Sequence, residues 1–361
     1  MRPLRVVVCG TKFGAYYLQA ILNLPSLYKL VGILSKGSKQ SQELANTLNV
    51  PLYTTVEDIT NEQVDVACVV VKSTIVGGEG TNIAQAFLEK GIHVIQEHPV
   101  HEDDYVKLIK SAKVGNCKYH LNSFYPNVDA VHSFIQTAKT LREVSDIIYL
   151  EAACSIQVLF PMLDIIGQAL GSLQSCIFEP VNDPTEHSPF YMLSGQIRDT
   201  PVTLRVFNQM DLANPESNIY LLHRVTLGTN RGTLYLPDTH GSVHWMPCMS
   251  SSLNESPILN KRIDNKFLSY PVEEIVFTAQ NNSFEDHYKK VWPKSVERSL
   301  LTFFEDIWNR SYFNQTTQYY LTACKLWNDI GRKIGPSQKV YIREREPLRM
   351  KDIKEDEEWV W

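Results

Sequence analysis

Residues 1–121 alternate short β-branched runs with helical patterns, and this alternation restricts the chain to few folds. "LRVVVCG" reads as a strand that stops at Gly10, and helical periodicity follows from about Phe13 to Leu24. "KLVGILS" and "SQELANTLN" repeat the pair, and "PLYTTVEDI" leads into the next strand. The run "VDVACVVVKS" is apolar at consecutive positions, so both of its faces are buried, as in a central parallel strand. "TNIAQAFLEKG" places Ile83, Ala84, Phe87 and Leu88 on one helical face and stops at Gly91. "IHVIQE", "HEDDYVKLIKSAKVGN" and "KYHLNSF" continue as strand, helix and strand. Strands separated by helices build βαβ units, which predicts an α/β fold with a Rossmann-type doubly wound parallel sheet.

Past Asn122 the rhythm changes. A helix near "NVDAVHSFIQTAKTLR" precedes the strand-like runs "VSDIIYLEAAC", "TPVTLRVFNQM", "NIYLLHRVTLGTN", "GTLYLP" and "GSVHWMP". Turn signals such as "GTNRGT" and "PDTHG" separate them, which predicts an α+β domain on a large open mixed or antiparallel sheet. "QVLFPMLDIIGQALGSL" is a helix among these strands, and two amphipathic helices close the domain. At 361 residues two domains are expected. The expected division is a dinucleotide-binding Rossmann domain over 1–121, a substrate and oligomerisation domain over 122–335, and a charged C-terminal extension over 336–361.

The net charge of −5 offers no bulk attraction for nucleic acid or anionic lipid. No apolar run approaches the roughly 20 residues that span a bilayer, and no leader pattern precedes the first strand. A soluble, cytoplasmic protein is expected. The seven cysteines are scattered without a C-x-x-C, and no H-E-x-x-H occurs. Neither a disulfide frame nor a metal site is expected.

The turn "VVVCGTKFGAYYLQA" carries the first chemistry. Against G-x-G-x-x-[G/A], Gly10 and Ala15 fit, while Lys12 takes the middle glycine; Thr11 and Phe13 lie between. Backbone amides at such a strand-to-helix turn receive a pyrophosphate, aided by the helix N-terminus. Lys12 either adds a cation beside the phosphates or points outward. An NAD-binding chain would end its second strand on an acid. Here "ILSKGSKQSQEL" supplies Ser35, Lys36, Gly37, Ser38, Lys39 and Ser41 before any acid appears at Glu43. Cations and short hydroxyl donors suit a 2′-phosphate and point to NADPH as the cofactor. The next strand end, "VVVKSTIVGGEGT", places Val71, Lys72 and Ser73 near the nicotinamide ribose. Gly77, Gly78 and Gly80 then form a loop that admits substrate or simply connects.

The following strand closes on Glu97-His98-Pro99. A strand ending E-x-P beside a dinucleotide turn resembles the Gfo/Idh/MocA oxidoreductase superfamily, in which the pattern is usually E-K-P with a proton-donating lysine. His98 takes the lysine position here. "GTKFGAYYLQA", "VVVKSTIVGGEGT", "GIHVIQEHPVH" and "NSFYPN", in that order, look like the thiazolinyl imine reductases of siderophore biosynthesis. The resemblance implies NADPH-dependent reduction of a thiazoline C=N to a thiazolidine. It implies a substrate held as a thioester on the carrier domain of a nonribosomal peptide synthetase, and a homodimer as in much of the superfamily.

In that reaction hydride goes to the imine carbon and a proton to nitrogen, so a general acid is needed. His98 and Tyr125 project from adjacent strand ends, and either fits the role. Pro126 is expected to hold Tyr125 extended, and Glu97 to position the cofactor ribose or backbone. Asn122 is a candidate polar contact, and His101 and His120 read as surface or packing residues. His223 and Arg224 have no assigned role. A sugar or cyclitol dehydrogenase would favour Lys at 98 and a D-x-x-x-H pair, whereas "LFPMLDIIGQALG" retains Asp164 but has Gln168. A non-catalytic NADPH-binding redox sensor has no need of His98 and Tyr125 together.

Overall fold

The computed structural model describes residues 2–73, 78–181, 189–214, 219–249, 270–280, 283–308, 313–341 and Leu348. The segment 74–77 of the glycine loop and most of the expected charged extension lie outside the described residues. Its first part runs β1 (Leu4–Cys9), α1 (Gly14–Asn23), β2 (Tyr28–Leu34), α2 (Lys39–Thr47), β3 (Leu52–Tyr53) and β4 (Val66–Val69). It continues through α3 (Gly80–Glu89), β5 (His93–Glu97), α4 (Glu102–Val114) and β6 (Tyr119–Asn122). These strands form one six-stranded sheet in the order β3-β2-β1-β4-β5-β6, parallel throughout. All of β4 is buried, and Arg5 is the one residue of β1 that is not. Their side chains have no polar alternative to the sheet interior. The doubly wound parallel sheet anticipated from the sequence is what forms.

A 3₁₀ turn at Tyr125–Asn127 leads into α5 (Asp129–Val144), β7 (Ile147–Ser155), α6 (Leu159–Leu170), β8 (Cys176–Pro180), β9 (Phe190–Ile197), β10 (Thr200–Phe207) and β11 (Gln209–Asp211). Then come β12 (His223–Thr229), β13 (Gly232–Leu236), β14 (Val243–Pro247) and β15 (Glu274–Phe277). The chain ends through α7 (Phe284–Asp286), a π-helical turn (His287–Val291), α8 (Trp292–Trp308), α9 (Phe313–Ile334) and β16 (Gln338–Val340). The second sheet has eight strands in the order β15-β14-β13-β12-β7-β10-β9-β8. It is mixed: β7 and β10 run parallel and the other pairs antiparallel. Leu150, Ala152, Cys154, Val202, Leu204, Val225, Leu227 and Leu234 form its buried face, against α5 and α6. Segment β16 pairs in parallel with β11.

The last two long helices return to the first sheet. α8 packs on α1, and α9 packs on α4 and α6; the Tyr28 hydroxyl donates to Leu300 O at 2.8 Å. The helices that flank the parallel sheet are thereby held against the last two long helices. Among the described residues, no helix is long and apolar enough to cross a membrane.

Candidate active site

The turn after β1 has the shape a pyrophosphate needs. Gly10 has φ +93°, and a Cβ there would stand 2.5 Å from Val70 O, so only glycine brings the backbone this close to the β4 end. Its amide donates to Leu34 O at 2.9 Å. No side chain caps α1, whose first turn also lacks an acid. The helix N-terminus therefore carries no competing carboxylate, as a bound dinucleotide requires. Lys12 is exposed, beside the phosphate position. The Phe13 ring turns inward, 5.1 Å from Phe124 and 5.7 Å from Trp292, so Phe13 offers the turn its backbone.

The β2 end divides the residues expected there into two groups. Gly37 has φ +78°, and its amide donates to Ser35 Oγ at 3.3 Å. Ser38 is the N-cap of α2 and accepts from Ser41 N at 3.3 Å. Ser41 is wholly buried and donates its hydroxyl to Ser38 O at 2.8 Å. It shapes the cap and presents no surface to a ligand, which corrects its assignment as a direct cofactor contact. Lys36, Ser38 and Lys39 are exposed around this turn. Lys39 has Glu43 at 3.8 Å, one helical turn on. At the β4 end, Val71 is half-buried and Lys72 exposed. Ser73 is buried and donates to Pro99 O at 2.7 Å, so it fastens this loop to the segment after His98.

That segment is the chemical centre. Glu97 Oε2 accepts from the Tyr17 hydroxyl at 2.6 Å and from Asn122 Nδ2 at 3.1 Å. Asn122 Nδ2 also lies 2.6 Å from the Tyr17 hydroxyl. His98 Nδ1 lies 3.1 Å from Asn122 O, and a carbonyl only accepts, which places a proton on Nδ1. Glu97 Oε1 stands 2.8 Å from the same nitrogen, off the N–H direction, with no hydrogen bond of its own. The imidazole stacks on Phe160 at 5.7 Å and 13°. Its Nδ1 edge is occupied, and Nε2 makes no hydrogen bond among the described residues.

Tyr125 meets the His98 ring at 6.3 Å and 62°. Burial, then the Glu97 charge, push its phenol well above the usual value, so it stays a donor at any working pH. Its hydroxyl makes no hydrogen bond among the described residues. The extended conformation expected from Pro126 does not form. Tyr125 enters a 3₁₀ turn with Pro126 near its start, and the strain lies one residue upstream, where Phe124 has φ +54°. Packing sustains it: Phe124 is completely buried, against Phe13, Trp292 at 5.3 Å and Tyr125 at 5.0 Å.

Behind Tyr125 lies His223, ring centroids 4.7 Å apart. It is fully buried, with Nε2 3.1 Å from Val158 O and Nδ1 2.9 Å from Thr239 Oγ1. The carbonyl takes the Nε2 proton and the threonine hydroxyl donates to Nδ1. Burial pushes this imidazole down to about 3, so it is neutral and structural. Asp164 is also fully buried; Gln168 Nε2 donates to it at 3.0 Å and the Tyr319 hydroxyl at 2.8 Å. Burial raises its carboxyl above the usual range. His101 caps α4, accepting from Asp103 N at 3.3 Å, and His120 lies 3.6 Å from Asp306.

The structure thus gathers Glu97, His98, Asn122 and Tyr125 at one place, with Gly10, Val71 and Ser73 on neighbouring strand ends. Tyr17, Phe160 and Trp292, which were not anticipated, complete this centre together with His223, which had no assigned role. For Tyr17 and Trp292 the only available signal was chemical, since a buried phenol or indole needs a hydrogen-bond partner.

Fold and site together define an oxidoreductase with an NAD(P)-binding domain. Residues 4–123 match the family described as "Oxidoreductase family, NAD-binding Rossmann fold", the GFO_IDH_MocA profile. Residues 146–246 match "Thiazolinyl imine reductase Irp3-like, C-terminal". The first part of the chain is thus similar to the Gfo/Idh/MocA oxidoreductases, and the second to the C-terminal domain of the thiazolinyl imine reductases. No curated protein sequence matches it significantly. Among solved structures, an oxidoreductase from Agrobacterium radiobacter in complex with NAD+, L-tartaric acid and magnesium aligns at TM-score 0.67 and 10% identity, covering 92% of this chain and 96% of that one. Biliverdin reductase from Synechocystis in complex with biliverdin and NADP+ aligns at 0.62 and 13%, covering 91% and 98%. UDP-N-acetylglucosamine 3-dehydrogenase from Acidithiobacillus ferrooxidans aligns at 0.61 and 15%, covering 90% and 96%. At these identities the likeness is one of fold.

Proposed function

We propose that this protein reduces the C=N bond of a thiazoline to a thiazolidine with NADPH, on a thioester intermediate carried by a nonribosomal peptide synthetase during siderophore assembly. The observation that carries this reading is the match of residues 146–246 to the thiazolinyl imine reductase type. Lys12, Lys36 and Lys39, exposed along the dinucleotide edge with Ser38, support NADPH over NADH by offering cations and a hydroxyl to a 2′-phosphate. A cytoplasmic homodimer is part of the same reading.

When bound, NADPH supplies the hydride that the imine carbon accepts. The chain's own task is the proton. Nitrogen becomes basic as hydride arrives, and a positioned acid avoids forming an amide-like anion. The Tyr125 phenol, kept protonated by burial, gives its proton to that nitrogen, with the His98 ring beside it. The Asn122 carbonyl, accepting from Nδ1, fixes His98 in one orientation, beside Glu97, which Tyr17 and Asn122 hold in turn. Phe160 and Trp292 close the aromatic sides and keep water out.

The test is NADPH consumption with a thiazoline thioester analogue, followed by loss of cofactor absorbance. Turnover with formation of the thiazolidine is expected, and replacement of Lys36 and Lys39 by Ala should weaken NADPH about tenfold or more with little change for NADH. Tight NADPH binding without turnover would sink the reductase reading and leave a cofactor-binding sensor. NADP+ reduction by polyols would indicate a dehydrogenase instead.

A further inference from the structure

A cleft of about 1020 Å³ opens between α5, α6, α8 and α9 and meets the residues around His98 and Tyr125 at Asn122. Asn122, Ser123 and Asp164 form its buried end, and Lys139, Arg142 and Arg198 line its open end. Lys139 and Arg142 lie three residues apart on one face of α5. Arg198 comes from the β9–β10 connection, where Ile197 pairs with Thr200.

Several features hold these cations together without neutralising them. Among the described residues none of the three makes an ion pair or a hydrogen bond, although Arg298, on the same cleft, is paired with Asp129. The Arg142 guanidinium lies across Gly171, the left-handed residue that ends α6 at φ +79°, so that any Cβ at 171 would overlap it. Its Nε is buried without a partner. Arg198 stands close enough to disfavour the Arg142 charge, after burial the largest influence on that group. Arg198 itself has φ +53°, a conformation that Asn or Gly adopts at lower cost. A strained turn and a desolvated guanidinium set two like charges side by side, an arrangement that an anion would relieve. The same cleft is lined by exposed amides, Gln136, Gln174, Gln315 and Gln318. Along α6, Asp164 to Gly171 spans about 10 Å at 1.5 Å per residue.

We propose that this cleft binds a phosphate ester, with the phosphate at Lys139, Arg142 and Arg198 and an amide-bearing tail extending along the glutamines toward Ser123. The phosphate site stands on the cleft alone. The tail rests on the proposed function, whose carrier-held substrate is linked through a phosphodiester and an amide-containing arm.

Calorimetric titration of the full chain at fixed ionic strength tests this with 4′-phosphopantetheine, pantetheine and inorganic phosphate. Phosphopantetheine should saturate one site, and pantetheine should bind about tenfold or more weakly, as expected for loss of charge-assisted bonds. Arg142→Gln should weaken phosphopantetheine by a similar factor, and Arg142→Lys by less. Arg198→Asn should weaken it while melting at the same temperature or higher, since it relieves the turn. Equal NADPH affinity in all variants reports that each one folds. The proposal is overturned if pantetheine binds as well as its phosphate ester, if the Arg142→Gln, Arg198→Asn double variant binds like the parent, or if phosphopantetheine does not bind at all. Inorganic phosphate binding as tightly as the ester would support the phosphate site and overturn the tail. Turnover of a thiazoline analogue lacking phosphate reports on the proposed function alone, so the two readings fail separately.

Discussion

At the level of single residues, the proton donor turns on which nitrogen of His98 is free. Asn122 O holds the proton on Nδ1, so the neutral imidazole presents a lone pair at Nε2 and donates there only as the imidazolium. The Tyr125 phenol, pushed up by burial, keeps its proton through the neutral range and beyond. We therefore expect kcat to stay level from about pH 7 to about pH 9. Tyr125→Phe should lower kcat by roughly 10²–10⁴-fold with NADPH affinity unchanged. Tyr125→Phe near parental rates, with His98→Ala strongly impaired, would transfer the role to His98. Glu97, His98 and Tyr125 were legible in the sequence because they sit in short motifs at strand ends, where a parallel sheet places its ligands. Tyr17 was not. Its bonds to Glu97 and Asn122 cross 80 and 105 residues, and helical periodicity marks position 17 only as buried.

At the level of elements, His223 ties the start of β12 to the residue preceding α6 and to Thr239. Its imidazole is held down to about 3 by burial, below the usual value near 6.5. Above about pH 6.5 both folded and unfolded chains carry it neutral. As pH falls below that, the unfolded chain binds a proton that the folded chain refuses, so stability is lost down to about pH 3. The full loss is at most about 5 kcal/mol. Melting temperature against pH should fall steadily over this window, and His223→Gln, which retains one donor and one acceptor, should flatten that fall. An unchanged acid slope would show that other groups dominate. Trp292 joins α8 to the phosphate turn through Phe13 and to the Tyr125 turn through Phe124, directly after the π-helical turn. Trp292→Ala should cost about 2–4 kcal/mol in denaturant unfolding and weaken NADPH as well, whereas Trp292→Phe should recover most of both. The elements themselves differ in how far they could be read. β1 and β4 announce themselves by burial on both faces. The two edges of the second sheet do not: β15 has three exposed residues of four, and Ile177, Glu179 and Pro180 of β8 are exposed. Neither shows an alternation that could be recognised without its partner.

At the level of the whole molecule, the second sheet has one face filled by α5 and α6 and an opposite face of different character. Strand alternation and register put Tyr149, Glu151, Arg205, Arg224, Thr226 and Tyr235 on that opposite face. None of them is fully buried. The Tyr149 ring lies over Gly228, where any Cβ would overlap it, which keeps the centre of the face flat. Flat aromatic surface with Glu151 among Arg205 and Arg224 suits a two-fold contact, because each charge can meet its opposite on the second copy. A stable contact of this kind buries roughly 1,200–2,000 Å², an area an eight-stranded sheet can supply. Light scattering should therefore give twice the chain mass of 41.3 kDa at micromolar concentration. Tyr235→Glu, placed on this face away from α5 and α6, should shift the mass to that of one chain while leaving NADPH binding intact. A dimer that survives both Tyr235→Glu and Tyr149→Glu must be built on another surface, and a parent chain of single mass would leave this face without a second copy.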